Sequence, residues 1–354
     1  MRVIKTLIIL IAGVLLTSCV DSGSVQIMSL ETGKTVTLKR EFCAARMSLL
    51  SVFMDDFKPV LNVITMDEQG KIFIIKYDMN GNKLKTDELP FYVVGLLSEP
   101  LVEQCIFIQE QSKLLYLVEH YDEKSIGRSD CREDTIYSYI IGAKVPVKLV
   151  SFNADEYVVK IKLVSSEAMI VHTRNDSENS SIFYAIEIAT GKMLSKVSSA
   201  YPSECLCVDS ENKTMLLRES SEHGGYILNT YDILTGKIRD QIANVDVGDC
   251  SNAFFYKDQI IYEGLNDIFI VDANGRTKPS ILVSYKSKKN KIYITDLNFI
   301  PDNKMFYCVS DDSFFSNCDF IIFNILEQKE IKRIKAPFYT ENLHVFDNYI
   351  VWDN

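Results

Sequence analysis

Tryptophan and histidine are scarce in this chain: 354 residues hold one Trp, Trp352, and four His. The histidines, His120, His172, His223 and His344, form no HExxH and no close pair with an acid at metal-ligand spacing. No GxSxG occurs, so the nucleophile elbow of a hydrolase is absent. Neither GxxxxGK[ST] nor GxGxxG occurs, which removes the usual glycine-rich phosphate cradles. The acidic doublets Asp55-Asp56 and Asp311-Asp312 lack the alternating oxygen ligands of a calcium loop and read as turns. Positive charge is also short. Lys and Arg total 38 against 48 Asp and Glu, a formal net charge of −10. That balance disfavours nucleic acid and anionic lipid as electrostatic partners. Nine Cys are too few for a small disulfide scaffold and leave the redox compartment open. Beyond the N-terminus no apolar run reaches 18 residues, so no second segment is long enough to span a bilayer as a helix.

What is present can build a core. Apolar residues make up 47 % and charged residues 24 %, a globular composition. At about 150 residues per domain the length suggests two domains, although closed β folds absorb this much as one.

The N-terminus carries an address. Arg2 and Lys5 precede an almost wholly apolar run from Thr6 to Leu16. Such a run is too short to cross about 30 Å of hydrocarbon and has the length of a signal-peptide core. Leu16-Thr17-Ser18-Cys19 then follows. This resembles the lipobox of bacterial lipoproteins. The resemblance implies cleavage before Cys19 and lipidation of its thiol, with a multiply acylated residue as a stable membrane anchor. Residues 1–18 would be the signal peptide and 19–24 the lipidated Cys with a short tether, Asp21-Ser22-Gly23-Ser24. Removing 18 residues leaves 336 and, without Arg2 and Lys5, a charge of −12. Val20, where Asp would signal inner-membrane retention, favours the outer membrane facing the periplasm.

The remainder, 25–354, repeats one phrase: an alternating strand, a tight turn and a second strand. It starts at Val25, Ile72, Ile182, Ile227 and Ile268, with looser copies from Ile136 and Phe320. Alternation at period two indicates strand. Thr-Gly and Asn-Gly at the turn indicate a hairpin whose Gly supplies φ > 0. The turns fall at Gly33, Gly81, Gly142, Gly191, Gly236, Gly275 and near Gln328, a mean spacing of about 49 residues. A repeat of 40 to 50 residues made of short strands marks β-propeller blades of about four strands each. Helical repeats of that length would show a 3.6-residue pattern, and none is evident. The expectation is an all-β, seven-bladed β-propeller, with six or eight blades open and a pair of β-sandwiches as the alternative fold. The first turn lies only 14 residues past Cys19, which leaves room for one outer hairpin. The C-terminal segment from Asn342 reads as two inner strands. The two ends would together complete one sheet and close the ring without an open edge.

Asp232-Ile233-Leu234-Thr235-Gly236-Lys237 resembles the turn of quinoprotein-like and YVTN-type propeller blades. Glu187–Lys192 and Leu30–Lys34 are looser versions. An outer-membrane assembly lipoprotein with a quinoprotein-like propeller is similar in architecture. Quinoprotein-type blades carry Trp a few residues after the turn Gly; here Ser195 and Arg239 occupy such places. No pyrroloquinoline-type cofactor is therefore expected, and no other cofactor.

Eight cysteines remain beyond Cys19. Cys205 and Cys250 each lie 14 residues after a turn Gly, at equivalent places in adjacent repeats, and are candidates for a disulfide between blades. Cys308 and Cys318 flank a short segment and are candidates for a second. The alternative is that all are small buried apolar residues. In Cys205-Leu206-Cys207 both thiols are expected on one side of a strand. Lys286, Lys288, Lys289 and Lys291 read as a solvated hairpin, or a docking patch for an anionic partner. The least periodic stretch, Glu119 to Glu133, accounts for the longest turn spacing and includes Glu119, His120, Tyr121, Asp122, Arg128 and Arg132. As an insertion on a rigid scaffold it is the candidate contact loop. The function expected is a non-catalytic protein-binding or scaffold module of the cell envelope, held to the membrane by lipid and gripping other envelope proteins. The alternative is a propeller lyase or hydrolase acting on a glycan or lactone through a central channel.

Overall fold

A computed structural model of the chain describes residues 25–38, 48–54, 60–66, 71–92, 101–108, 113–121, 132–152, 155–175, 177–199, 202–220, 225–242, 252–264, 266–285, 292–310, 318–336, 341–346 and 348–353. Cys19 and its lipobox, Asp122, Arg128, His223, Cys250, the lysine cluster and both acidic doublets lie outside these residues. Among the described residues the structure is all strand and turn, with 28 strands numbered along the chain. They form seven four-stranded antiparallel sheets, the blades of a seven-bladed β-propeller.

The chain divides into two compact units, Met1–Tyr92 with Tyr339–Asn354, and Val93–Phe338. In the first unit, blade 1 is β3 (Ser48–Met54), β4 (Val60–Met66), β5 (Lys71–Asp78) and β6 (Lys83–Tyr92). Its second sheet, blade 7, joins both chain ends. The order is β2 (Thr35–Leu38), β1 (Val25–Ser29), β28 (Tyr349–Asp353), β27 (Glu341–Phe346). Val25 pairs with Leu38 on one side and with Asp353 on the other. The N-terminus thus supplies the outer hairpin and the C-terminus the inner one, as the turn spacing predicts. Trp352 is fully buried in β28.

The second unit holds five blades in chain order. Blade 2 comprises β7 (Leu101–Ile108), β8 (Lys113–Tyr121), β9 (Arg132–Ile140) and β10 (Val147–Phe152). Blade 3 comprises β11 (Tyr157–Leu163), β12 (Ala168–Asn175), β13 (Ser180–Glu187) and β14 (Met193–Ser199). Blade 4 comprises β15 (Ser203–Asp209), β16 (Thr214–Ser220), β17 (Tyr226–Asp232) and β18 (Ile238–Ile242). Blade 5 runs from β19 (Ala253–Tyr256) through β20 (Gln259–Glu263) and β21 (Asp267–Asp272) to β22 (Ser280–Ser284). Blade 6 runs from β23 (Tyr293–Ile300) through β24 (Lys304–Ser310) and β25 (Cys318–Asn324) to β26 (Lys329–Lys335).

Middle strands such as β12 and β13 are buried over five or six consecutive residues, because both faces of a blade pack on neighbours. One face of blade 3 places Val171 and Tyr184 with Leu117 and Ile136 of blade 2; the other places Ile170 and Phe183 with Met215 and Leu217 of blade 4. Each such side chain stabilises by roughly 1.5–3 kcal/mol when fully buried. Outer strands are the exposed edges. In β26, Lys-Glu-Ile-Lys-Arg-Ile-Lys lines that edge with charge, which discourages pairing with another chain.

All seven turn residues named from the sequence have positive φ, from 49° at Gln328 to 92° at Gly142, and join the third and fourth strands of a blade. The Asp-x-x-Thr-Gly-Lys turn has a local cause. Asp232 accepts from Thr235 N and Thr235 Oγ1, and Gly236 N donates to Asp232 O. Arg239 grips the same carboxyl at 2.5 Å and, with the turn amide, holds it down at about 2. Its other amino group donates to Thr214 Oγ1. Ser195, the other residue standing where quinoprotein-type blades carry Trp, donates to Ile233 O of blade 4.

Adjacent blades are also joined by polar groups inside the wedge. Val158 N of blade 3 donates to Asp134 Oδ2 of blade 2 at 2.5 Å. Ser203 N of blade 4 donates to Ser181 Oγ of blade 3. Leu297 N of blade 6 donates to Glu263 Oε2 of blade 5. Val158 and Leu297 sit at β-bulges between the first and second strands of their blades, where ladder pairing is interrupted. Asp134 is completely buried and Glu263 is 1 % exposed.

Close approach at the rim distinguishes the turn glycines. A Cβ on Gly191 would lie 2.1 Å from Leu149 O of blade 2, whereas one on Gly33 would meet nothing within 4 Å. Both have φ near 70°. Gly33→Ala is expected to cost about 1 kcal/mol, the φ penalty alone. Gly191→Ala is expected to cost at least about 2 kcal/mol more, because backbone must move. Urea unfolding midpoints of the two variants check the difference, and equal midpoints would refute the close-packed rim.

Candidate functional site

A cavity of about 270 Å³ lies between blades 3 and 4, within the second unit. Blade 3 contributes Val159, Lys160, Lys162, Ile170 and His172. Blade 4 and the residue just before it contribute Pro202, Ser203, Glu204, Cys205, Arg218, Ser220 and Tyr226.

A bulge builds the blade 3 wall. The β11–β12 register shifts between Val158 and Lys160, so that Lys160 stands opposite His172 and Lys162 opposite Ile170. Cross-strand partners share a face, and residues two apart on a strand share it too, so both lysines project from the face that carries His172. Bulges re-aim side chains in this way. His172 stacks on Phe183, its partner across β12–β13, at 4.5 Å between ring centres and 20° between planes. It is 7 % exposed and its Nε2 has no hydrogen-bond partner. Burial, and then Lys160, Arg174 and Lys162, push its pKa down to about 4. Burial likewise lowers Lys160, reinforced by Lys162 and opposed by Glu204. Lys162 Nζ donates to Leu206 O.

On blade 4, Glu204 and Arg218 are direct cross-strand partners and form an ion pair at 3.0 Å. The Arg218 guanidinium lies over the Tyr226 ring at 4.7 Å, a cation–π contact. The Cys205 thiol is pushed up to about 11 by burial. It stays protonated near neutrality and is a poor nucleophile. With a neutral His and a protonated thiol, the site offers cations and hydrogen-bond groups to an anion.

The expectation for Cys205-Leu206-Cys207 is corrected here. A second bulge opposes Cys205 to Leu217 and Cys207 to Leu216, so the two thiols face opposite sides. Cys205 packs between blades 3 and 4; Cys207 packs on the cluster shared with blade 5. Cys205, Cys308 and Cys318 are free thiols in the structure. Cys308 stands opposite Phe320, and Ser310 opposite Cys318, which places Cys308 and Cys318 as diagonal neighbours on one face of blade 6. They are 2 % and 4 % exposed. Burial, and then Cys318, raise the Cys308 pKa well above the thiol range.

The candidate contact loop is shorter than its irregular sequence suggests. The β8–β9 ladder continues through Glu119↔Asp134, His120↔Glu133 and Tyr121↔Arg132. Four of its six candidate residues are therefore strand positions. The sequence did not single out the cavity. Lys160, Lys162 and His172 follow no motif, and they meet Arg218 only because blades 3 and 4 pack. Among the described residues no three His, Cys, Asp or Glu side chains converge as a metal site.

No family model and no curated protein matches the sequence. Solved structures do match. A prolyl endopeptidase structure is similar over 90 % of this chain with 11 % identity and a TM-score of 0.61. This chain covers 50 % of that one. The β-propeller domain of the Trilobed protease from Pyrococcus furiosus is similar over 84 % of this chain and 86 % of its own, with 8 % identity and a TM-score of 0.53. BamB from Moraxella catarrhalis aligns over 93 % of this chain and 91 % of its own at 15 % identity, with a TM-score of 0.43. The first two carry the likeness, and at such identities it is a likeness of fold alone. The chain is a β-propeller protein.

The buried histidine makes stability depend on pH. Unfolded, His172 takes up a proton near 6.5; folded, it resists protonation until about 4. The unfolded state therefore binds more protons between those values, and stability falls as pH drops from about 6.5 to about 4. His344, whose pKa burial also lowers, adds with the same sign. Urea unfolding at pH 6.5 and pH 4.5 is expected to show a smaller pH loss in His172→Gln than in the parent. An equal loss would remove His172 from this account.

Proposed function

We propose that the chain is a lipid-anchored binding module of the bacterial cell envelope, a propeller that holds other envelope proteins and catalyses no reaction. The lipobox Leu16-Thr17-Ser18-Cys19 supports the address. The observation that carries the scaffold reading is where the tether leads. Residues 20–24 reach at most about 17 Å. They end at Val25, the first residue of a strand bonded on both edges, to β2 and to β28. Load on the anchor passes directly into a four-stranded sheet and through no flexible domain. Outer-membrane attachment facing the periplasm follows from Val20. The segment between β8 and β9, with Asp122 and Arg128, is the proposed contact surface, together with Glu119, His120, Tyr121 and Arg132 at the adjoining strand ends.

Two variants test this. Cys19→Ala is expected to abolish palmitate labelling and to release the protein from the membrane fraction; retention of both overturns the anchor. A photoreactive residue at Asp122 or Arg128 is expected to cross-link a discrete envelope protein in cells. Deletion of residues 122–131 is then expected to abolish recovery of that protein with the propeller. Unchanged recovery overturns the loop.

Export also bears on the thiols of blade 6. Cys308 and Cys318 are proposed to form a disulfide while the chain folds in an oxidising envelope. Each thiol gives up a proton, and the two electrons reduce the disulfide of an oxidised dithiol carrier. Alkylation of denatured envelope-derived protein is expected to leave both residues unmodified until reductant is added. Modification of both without reductant overturns the pair.

A further inference from the structure

We infer that the cavity between blades 3 and 4 binds a small organic carboxylate. Its volume, about 270 Å³, lies at the lower edge of ligand clefts, which run about 300–1,000 Å³, so it suits a small molecule.

Charge selects the sign of that molecule. Three cations line the cavity, Lys160, Lys162 and Arg218, against one carboxylate, Glu204. Arg218 already holds Glu204 at 3.0 Å. Neither lysine has an ion-pair partner among the described residues, although the formal charge of the chain is −10. Lys162 also disfavours the charge of Lys160. An anion placed between the two lysines relieves this, and it gains in the partly buried site because screening by water is weak there.

An independent observation points to the same ligand. His172 is 7 % exposed, lines the cavity, and leaves Nε2 with no partner. Buried polar groups are almost always hydrogen-bonded, and an orphan costs about 1–3 kcal/mol. A ligand oxygen beside Lys160, the direct cross-strand partner of His172, would supply that missing bond. Val159, Ile170, Pro202 and Tyr226 provide an apolar wall. Inorganic phosphate cannot use that wall; the carbon body of an organic acid can. The inference stands apart from the lipid anchor and from the β8–β9 loop.

Isothermal titration calorimetry on the full chain in detergent tests it with benzoate, glucuronate and inorganic phosphate. At least one carboxylate is expected to bind saturably, at least tenfold tighter than phosphate, and more weakly as salt rises. Lys160→Gln is expected to weaken binding about tenfold or more, and Lys160→Arg to retain it. Unchanged unfolding midpoints confirm that both variants fold. Near pH 5 binding is expected to take up protons, read as a dependence of the heat on buffer ionisation enthalpy; His172→Gln abolishes that uptake. The proposal is overturned if neither carboxylate saturates below about 10 mM. Phosphate binding as tightly, or Lys160→Gln binding unchanged in a folded protein, also overturns it.

Discussion

The packing of blade face on blade face, as where blade 3 lies between blades 2 and 4, is the constraint on which the rest depends. A sheet buried on both faces cannot show water its irregularities. Where a bulge interrupts the ladder, an amide is left inside an apolar wedge. Asp134 and Glu263, carboxylates of preceding blades, accept from such amides at Val158 and Leu297, and Ser181 accepts from Ser203 at the start of blade 4. Removing such an acceptor would leave a buried donor unsatisfied, so polar residues persist in an otherwise apolar interior. The same demand sets parts of the outer rim: at Gly191, Gly236 and Gly275 the turn backbone lies against the outer strand of the preceding blade and leaves no room for a Cβ.

The bulges matter twice. They create the need for the polar acceptors, and they turn side chains. In blade 3 the shift at Lys160 sets two lysines and a histidine on one face. In blade 4 the shift at Cys205 splits a Cys-x-Cys pair between two cores. One device thus produces both the cationic cavity and the failure of simple alternation. The neutral His172 and the protonated Cys205 follow from the same burial, which favours uncharged forms. A cavity of that character holds an anion, and this agrees with a propeller that binds.

Much of the fold was legible along the chain. Thr-Gly and Asn-Gly turns carry their conformation locally, through φ > 0 and the Asp232 type of side-chain bond, so all seven were found, Gln328 included. Strand alternation and the short N-terminal segment sufficed to predict the shared blade, because pairing of β1 with β28 needs only two half-sheets and an edge to hide. The residues at Ser195 and Arg239 could be read as an absence of Trp; their roles, bonding Ile233 O and Asp232, could not. The candidate site was not legible. Its lysines, histidine and arginine lie up to 58 positions apart, from Lys160 to Arg218, and no spacing rule joins them. The irregular stretch from Glu119 looked like loop throughout, yet ladder hydrogen bonds extend strands to Tyr121 and Arg132 despite poor alternation.

The strand–turn rhythm and which ends complete a sheet were set along the chain, since each depends on local backbone chemistry and period-two burial; the count of seven blades, with six or eight left open by the spacing, came from the sheets themselves. Tertiary structure alone decided which side of a strand a residue faces after a bulge, which polar groups meet across blades, and that a cationic cavity forms around an unpartnered histidine. The reason is physical. Turn conformation is a property of a few adjacent residues, whereas register shifts and cavities arise from the mismatch between two packed sheets.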